Sequence, residues 1–566
     1  MMGGRRVQRL VTLLVLWTFV CYGLFQLTTL NDAGAYISVS SRLLLQKVTD
    51  PATAQPDAGA ETPSSAAVSG DVVVDDPWPS VDQRQSPSEQ ELAQTIQKGV
   101  PNVPLAYWVK EKSKISSKNH TCAVYPSVLD IKFNNDYWQT VRTSNGTFYL
   151  YGAYYDDRAN NKLGPTVRIL GMIDRIEPTV KSYCLLWYDV AKDPVKTPVL
   201  EYKYVWFKKW GNYKQGLLQP YLLACRVPHD LPGRVPISVS VTEKGCEPAT
   251  TNLRVHNRRP EPGQAKGQFA VCVKGLDFLQ SDLSVRLVEW IELLTLLGAD
   301  KIFFYELEVH ANISKVLRHY ADEGRIEVTR ITLPGEQPNI PGLRHMYLKS
   351  KVTSKRQNEV IPYNDCLYRN LYTYRYIALM DTDEVIMPKN VQTWSELIGE
   401  VVARSGPGKA SYNFRNVYFW DDEQHSHRWE PTIPRHLHML QHVYRSANYT
   451  KPNQYVKCFH DVERILTLHN HFPLACLNGS CTSYAVDPET AHLQHYRSDC
   501  VSTLKKSCDA EYKQHLVKDS IIWRYKDRLV PRVQHVLRKL GFFAPRTSAV
   551  SLDNGPVVPK DHGNPN

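Results

Sequence analysis

The sequence predicts an α/β protein: a domain built on a parallel sheet, preceded by a β-sandwich-like module and an N-terminal transmembrane helix. Strand and helix patterns alternate from residue 269 onward, and short aromatic and β-branched runs fill 107–257. An uncharged apolar segment follows the first arginines. Alternating strands and helices favour a parallel sheet, whereas short strands between turn residues favour a β-sandwich.

The composition is that of an ordinary globular protein with more than one domain. The 566 residues are 42% hydrophobic and 22% charged, and a chain of this length exceeds what one core accommodates. The formal net charge is +11, but basic residues are interspersed with acidic ones rather than gathered into basic runs. This distribution argues against nucleic-acid binding.

The N-terminus predicts the cellular compartment. Arg5, Arg6 and Arg9 precede 10–30, which contains no charged residue and matches the length of about 20 residues that crosses a bilayer as a helix. A cleaved signal peptide is the alternative, but the apolar run exceeds a typical signal core and its end lacks a small-residue cleavage pattern. We therefore predict a cytosolic tail over 1–9, an uncleaved anchor over 10–30 and a lumenal remainder.

Cysteines and glycosylation motifs are consistent with a lumenal location. Of the twelve cysteines only Cys21 lies in the anchor, which leaves 12 − 1 = 11 beyond it, and an oxidising lumen favours their pairing with at least one left over. The closely spaced Cys476/Cys481 and Cys500/Cys508 are predicted to form local loops, while the other pairings stay open. Sequons for N-glycosylation occur at Asn119, Asn145, Asn312, Asn448 and Asn478.

The lumenal part divides by composition. Residues 31–105 are predicted to form a disordered stem, because from residue 50 they are rich in Ala, Pro, Ser, Asp and Gln and contain few aromatics. A β-rich module is expected over 106–260. One aromatic cluster in it is either a platform for stacking on sugars or part of the core. Its members are Trp206, Phe207, Trp210 and Tyr213.

The catalytic domain is predicted over 261–510, followed by a helical segment and mobile tail over 511–566. Strands are expected at 269–273, 301–305 and 325–331, and helices at 281–297 and 312–323. Such βαβ units place the ligand site at the carboxyl ends of the strands. No Gly-x-Gly-x-x-Gly motif follows the first strand and no Walker A motif occurs, which argues against a dinucleotide oxidoreductase or P-loop kinase.

Two aspartates follow another apolar strand, predicted at 375–380. In an extended chain Asp381 and Asp383, two residues apart, project to the same side. Their mutual repulsion is relieved by a divalent cation, and carboxylate oxygens suit Mn²⁺ or Mg²⁺. Asp-x-Asp also occurs in turns and helix caps, but its position at the end of a buried strand favours a metal site that binds the diphosphate of a nucleotide sugar.

Four segments resemble glycosyltransferase family 92: EWIELLTLLGADKIFFY at 289–305, NDCLYRN at 364–370, DTDEVI at 381–386 and HLQHYR at 492–497. The resemblance extends over 121–508. It implies a GT-A fold with a Rossmann-like mixed sheet, and an inverting β-1,4-galactosyltransferase that uses UDP-galactose and Mn²⁺. It also implies a carbohydrate-binding-like front module, and together with the N-terminal anchor it predicts a single-pass type II Golgi membrane protein. The implied acceptor is a terminal β-galactose or fucose of N-glycans, and a homodimer is left open.

The resemblance also implies residue roles. Asp381 and Asp383 match the motif that binds metal and diphosphate, and His495 resembles the histidine that completes the metal site. The alternative for His495 is a hydrogen-bonded core residue. His469 and His471 lie two apart without a Cys-x-x-Cys partner, so we interpret them as packing or substrate contacts.

Inversion by direct displacement requires a general base for the acceptor hydroxyl. Asp421 or Asp422 is the preferred candidate, because an aromatic strand predicted at 412–420 precedes them. For either residue the alternative is an ordinary solvated acid. Two further functions remain open for the whole chain: a transferase that uses another UDP-sugar, or an inactive membrane-anchored lectin, against which the Asp381/Asp383 pair argues.

Overall fold

A computed structural model describes residues 88–104, 121–189, 193–228, 234–422, 427–501 and 504–543. The predicted tail, anchor, most of the stem and the C-terminal tail lie outside these ranges, as does Asn119. Within them, no helix combines the length and apolar character needed to cross a membrane.

The end of the predicted stem is folded, which differs from the expectation of disorder up to residue 105. Helix α1 (Glu89–Gly99) begins with a capping box, in which the Ser88 hydroxyl accepts from the Glu91 N–H and the Ser88 N–H donates to Glu91 Oε2. The Asn102 side chain is buried, and its backbone carbonyl accepts from the Arg254 N–H at 2.7 Å. The polar composition of this segment did not indicate a helix, but the capping box stabilises one.

The predicted β-rich module is confirmed, but its strands form one continuous sheet. Its order is β1-β2-β3-β4-β7-β6-β5-β8-β9, with a further pairing of β9 with β3. Strand β6 joins the two halves because its start pairs with β5 and its end with β7. The strands are β1 Phe133–Asn135, β2 Trp138–Thr143, β3 Gly146–Asp156, β4 Thr166–Ile173, β5 Tyr183–Trp187, β6 Val195–Tyr204, β7 Gln219–Arg226, β8 Ser238–Thr242 and β9 Leu253–His256.

The following half is a mixed α/β structure, as predicted. Its strands β10 to β13 are mutually parallel in the order β12-β11-β10-β13, and β18, β15 and β21 extend the sheet beyond β13. Helix α2 ends at Gly298, whose left-handed backbone (φ 101°) suits glycine. The first elements are β10 Gly267–Phe278, α2 Ser284–Leu297, β11 Lys301–Val309, α3 Ala311–Asp322, β12 Ile326–Arg330, α4 Pro341–Ser350, α5 Val352–Arg369 and β13 Tyr374–Leu379.

A second sheet of this half has the order β14-β22-β16-β17-β23, and β19 and β20 form a hairpin. The remaining elements are β14 Glu384–Pro388, α6 Trp394–Ser405, β15 Ser411–Phe414, β16 Asn416–Trp420, α7 His438–Gln441, β17 Tyr444–Ser446, β18 Lys457–Asp461, β19 Ile465–Leu468, β20 Pro473–Cys476, β21 Ser483–Ala485, β22 Ala491–Arg497, α8 Lys505–Cys508, β23 Leu516–Lys518 and α9 Lys526–Lys539.

Two predicted elements differ from the structure. The strand predicted at 412–420 divides at Arg415, where the chain passes from the first sheet (β15) to the second (β16). The C-terminal segment is not one helix, because β23 interrupts it by pairing with β17. Only Lys526–Lys539 of that segment forms a long α-helix.

A buried charge network joins the module to the catalytic half. The Asp365 carboxylate on α5 accepts hydrogen bonds from the hydroxyls of Tyr154 on β3 and Tyr305 on β11. Arg369 Nε lies 2.8 Å from both Asp365 oxygens, and its Nη2 donates to Asn102 Oδ1 at 3.0 Å. All five side chains are buried. Arg369 thus supplies the compensation that a buried carboxylate requires, and the Tyr154 hydroxyl connects the module to this ion pair.

Five disulfides account for ten of the cysteines in the described residues, and Cys458 is free and buried. Both local loops predicted from sequence are confirmed. Within the core, Cys272–Cys366 links β10 to α5 beside the Asp365 network. The pairs are Cys122–Cys246, Cys184–Cys225, Cys272–Cys366, Cys476–Cys481 and Cys500–Cys508.

We expect Arg369→Met to lower the free energy of unfolding by about 3–5 kcal/mol, because it leaves the buried Asp365 carboxylate without its guanidinium partner. Lys208→Met, which removes an ion pair with Glu177 between two exposed side chains, is the matched control and should leave stability unchanged. Denaturant unfolding of the purified protein measures both. Equal midpoints for the two variants would contradict the assigned role of the network.

Candidate functional site

A cavity of about 470 Å³ opens at the carboxyl ends of the parallel strands β10 to β13, where ligands bind in open α/β sheets. It brings together the predicted Asp381, Asp383, His495 and Asp421, while Asp422 does not line it. Besides Trp138, Tyr151 and Tyr496, its polar side chains are Lys274, Asp277, Arg286, Thr332, Lys355, Asn358, Glu359, Asp381, Thr382, Asp383, Asp421, His495, Arg497 and Ser498.

The Asp-x-Asp motif forms a turn between β13 and β14 rather than the extended strand end expected from sequence. The Glu384 N–H donates to the Asp381 carbonyl at 3.1 Å. The Asp381 carboxylate lies between two ammonium groups, with Oδ1 2.9 Å from Lys274 Nζ and Oδ2 3.4 Å from Lys457 Nζ. Asp381 is therefore already compensated by protein cations.

Asp383 faces the predicted histidine. Its Oδ2 lies 3.5 Å from His495 Nε2, and its side chain is 49% exposed. The strand register explains this contact. His495 in β22 pairs with Glu384 at the start of β14, and Glu384 directly follows Asp383. Asp383 and His495 thus present an oxygen and a nitrogen at the mouth of the site.

The surroundings of His495 fit a metal ligand. Asn416 Nδ2 lies 3.2 Å from His495 Nδ1, whereas the buried Asn416 Oδ1 has no hydrogen-bond partner in the described part of the chain. Amide orientation is assigned from the hydrogen-bond network. With the amide turned, Oδ1 accepts a hydrogen bond from Nδ1–H, and Nε2, once it releases its proton, can offer its lone pair to a metal ion beside Asp383, which is the arrangement of metal-binding histidines. Asp383 and His495, with water and phosphate oxygens, suit Mn²⁺ or Mg²⁺.

Electrostatics keep the two aspartates ionised. Burial raises the pKa of Asp381, but Lys274 and Lys457 more than offset burial and hold that pKa well below its usual range. Burial likewise opposes ionisation of Asp383, yet His495 lowers the pKa of Asp383 below its ordinary value. In contrast, burial raises the pKa of Glu384.

The two candidate bases differ in position. Asp421 follows β16 and faces the cavity; its Oδ1 lies 2.8 Å from His438 Nε2 and its Oδ2 3.1 Å from Arg286 Nη2. Burial raises the pKa of Asp421, but His438 and Arg286 lower it well below the usual range. Asp422 points elsewhere, pairs with Lys513 at 2.9 Å and is 53% exposed. The position of Asp421 in the cavity therefore favours it over Asp422 as the candidate base.

Sequence reasoning missed the partners of these acids. His442 lies behind His438, and one ligand atom from each histidine and from Asp421 lie within 4.8 Å of one another. The His442 Nδ1–H donates to the His438 carbonyl at 2.6 Å, and burial lowers the pKa of His442 to about 4, so this ring is neutral. The position of Lys274 directly after the buried strand 269–273 was a usable signal, whereas nothing in the sequence distinguished the histidines.

The other histidine pair packs beside two tryptophans of the aromatic cluster, whereas Phe207 of that cluster is exposed and Tyr213 is only partly buried. His469 packs on Trp210 with ring centroids 4.5 Å apart, and Trp206 is buried beside them. His471 Nδ1 lies 3.0 Å from the Val456 carbonyl. The packing interpretation is therefore favoured for His469 and for the two tryptophans. Four sequons lie on partly or fully exposed positions, at Asn145, Asn312, Asn448 and Asn478.

Comparison with known proteins agrees with the motif resemblance. Residues 267–532 match the family model of glycosyltransferase family 92, so the chain carries a family 92 domain. Beta-1,4-galactosyltransferase galt-1 of Caenorhabditis elegans is 24% identical over 249 residues, 42% of this chain and 51% of the relative. The chain thus spans about half the length of that curated relative. A crystal structure of S. aureus TarS 1-349 shares 9% identity, covers 50% of this chain and 76% of its own, and has a TM-score of 0.21, too low to define a shared fold.

The two aspartates should differ in their effect on stability. Asp381→Asn should lower the free energy of unfolding by about 1–3 kcal/mol, because it weakens the compensation of the buried Lys457 and of Lys274. Asp383→Asn should leave metal-free unfolding unchanged, since its side chain is half exposed. Thermal unfolding in chelator measures this difference, and equal losses in both variants would refute it.

Proposed function

We propose that this protein is an inverting, metal-dependent β-1,4-galactosyltransferase with a GT-A arrangement, which transfers galactose from UDP-galactose to a terminal β-galactose or fucose of N-glycans. The proposal rests on one observation. Asp381, Asp383 and His495 share a single cavity with Asp421 at the carboxyl edge of a parallel sheet, within a family 92 domain. The printed name of the worm relative supports galactose as the transferred sugar.

Each residue has a distinct role in this proposal. Asp383 and His495 would hold a divalent cation such as Mn²⁺. When bound, such an ion offsets the negative charge that develops on the departing UDP. Lys274 lines the cavity and, although burial lowers its pKa, Asp381 raises that pKa well above its ordinary value. The ammonium group therefore stays charged and attracts the donor diphosphate.

Asp421 is the proposed general base. It accepts the proton of the acceptor hydroxyl as that oxygen bonds to the anomeric carbon of galactose, while the bond from that carbon to the phosphate oxygen breaks. Attack from the face opposite the leaving group inverts the configuration. Arg286 and His438 orient the carboxylate by contacting its two oxygens separately.

Incubation with a panel of UDP-sugars and glycan acceptors tests the function. We expect galactose transfer from UDP-galactose in Mn²⁺, with a loss on the order of 10²-fold or more in chelator or in Asp383→Ala, because both remove charge stabilisation. Transfer of a different sugar would replace the proposed donor. Glycan binding without transfer from any donor would favour the lectin function, and full activity in chelator would exclude metal dependence.

Asp421→Asn should lower kcat by about 10²–10⁴-fold with little change in donor KM, because the amide cannot accept the acceptor proton. Asp422→Asn, a change of the same kind in the neighbouring residue, should retain activity because Asp422 pairs with Lys513 outside the cavity. Steady-state kinetics at saturating acceptor separate the two variants. Equal activities of the two variants would show that Asp421 is not the general base.

The proposed location is the Golgi membrane, with a cytosolic N-terminus and the catalytic domain in the lumen. This follows from the arginines before the apolar segment 10–30 and from the downstream sequons. Glycosidase treatment of the cell-expressed protein should increase its mobility, and intact vesicles should protect all but the tail from protease. An unglycosylated, protease-accessible chain would overturn this topology.

A further inference from the structure

The sheet order indicates where the nucleoside of a bound donor lies. The cavity extends from Asp381 after β13, past β10 and β11, to Ile331 and Thr332 after β12. Three strand spacings of about 4.8 Å separate these ends by roughly 14 Å. Asp421, the proposed base, lines the cavity from the second sheet, so the acceptor approaches there and the nucleoside extends toward β12.

The β-rich module closes that end of the cavity. Trp138 and Tyr151 both line it, and their rings lie 5.1 Å apart. The Trp138 Nε1–H donates to the Thr332 carbonyl at 2.9 Å. Asn135 reinforces the contact, since its Nδ2 donates to the Leu333 carbonyl at 3.0 Å and its Oδ1 accepts from the Thr332 hydroxyl at 2.6 Å. The module therefore holds the segment that follows β12.

Two buried oxygens of residues that line the cavity have no hydrogen-bond partner in the part of the chain that the structure describes. One is the hydroxyl of Tyr151, whose side chain is fully buried. The other is Oδ1 of Asp277, near the end of β10, while its Oδ2 lies 3.0 Å from His345 Nδ1. Three residues along β3, the Tyr154 hydroxyl is satisfied by Asp365. Because buried hydroxyls are normally paired, Tyr151 is arranged for a ligand.

We propose that the β-rich module forms part of the donor site: the Tyr151 hydroxyl donates a hydrogen bond to an oxygen of the donor nucleoside, and Trp138 forms the apolar wall beside it. This rests on the proposed use of a UDP-sugar. The module is then a constituent of the enzyme's substrate pocket in addition to any separate glycan binding.

Tyr151→Phe in the full chain removes only the hydroxyl. We expect UDP, titrated calorimetrically in Mn²⁺, to bind about 5–15-fold more weakly, the usual effect of one lost hydrogen bond. The ligand-free unfolding midpoint should be unchanged or higher, because that hydroxyl has no protein partner. Tyr149→Phe, on the same strand but not lining the cavity, should leave both quantities unchanged.

Binding of uridine, measured by saturation-transfer NMR, distinguishes contacts with the nucleoside from contacts with the diphosphate. Tyr151→Phe should weaken uridine binding, whereas Asp383→Asn should weaken UDP binding and leave uridine binding unchanged. Equal UDP affinity in wild type and Tyr151→Phe, or a loss that follows reduced stability, would overturn this inference. If the wild type does not bind UDP, the proposed function itself fails.

Discussion

The buried carboxylate of Asp365 is the constraint on which the rest of the structure depends. Arg369 on the same helix supplies its counter-charge and Tyr305 on β11 supplies one hydrogen bond, while Tyr154 on β3 is the donor from the module. Because a buried polar group left without its partner is costly, the Tyr154 hydrogen bond favours the docked arrangement of module and sheet. Asn102, from the segment after α1, completes the network through Arg369. The end of the predicted stem is thereby tied to the same point.

The geometry of the site follows from this anchor. Helix α5 carries Asp365 and is covalently linked to β10 by Cys272–Cys366, which fixes the strand that ends in Lys274. Strand β13 is paired with β10 in parallel, so the turn after it brings Asp381 to Lys274. On the other side, β3 carries both Tyr154 and Tyr151. The hydrogen bond between Tyr154 and Asp365 therefore also positions Tyr151, which lines the cavity.

Periodicity predicted the starts of the elements from β10 to β12 within three residues and the ends of both helices within one, because apolar spacing and Gly298 mark them, but β10 and β11 extend five and four residues further than predicted. Asp381, Asp383 and Asp421 were identified because each follows an apolar strand. Lys457 and His438 were not, since their contacts with Asp381 and Asp421 span 76 and 17 residues. The turn at 381–383 also escaped prediction, because tertiary contacts of its side chains determine the backbone there.

Charge balance at the cavity supports a divalent cation. Lys274 and Lys457 contact Asp381, and Lys457 also contacts Glu384 at 3.0 Å. Asp381 and Glu384 thus offset part of the positive charge of these two ammonium groups. A nucleoside diphosphate adds negative charge beside Asp383, whose protein partner is His495, and an imidazole carries at most one positive charge. In the proposed complex, a divalent cation would offset this added charge together with the cavity's Lys355 and Arg497, and Asp383 and His495 supply oxygen and nitrogen ligands that suit such an ion.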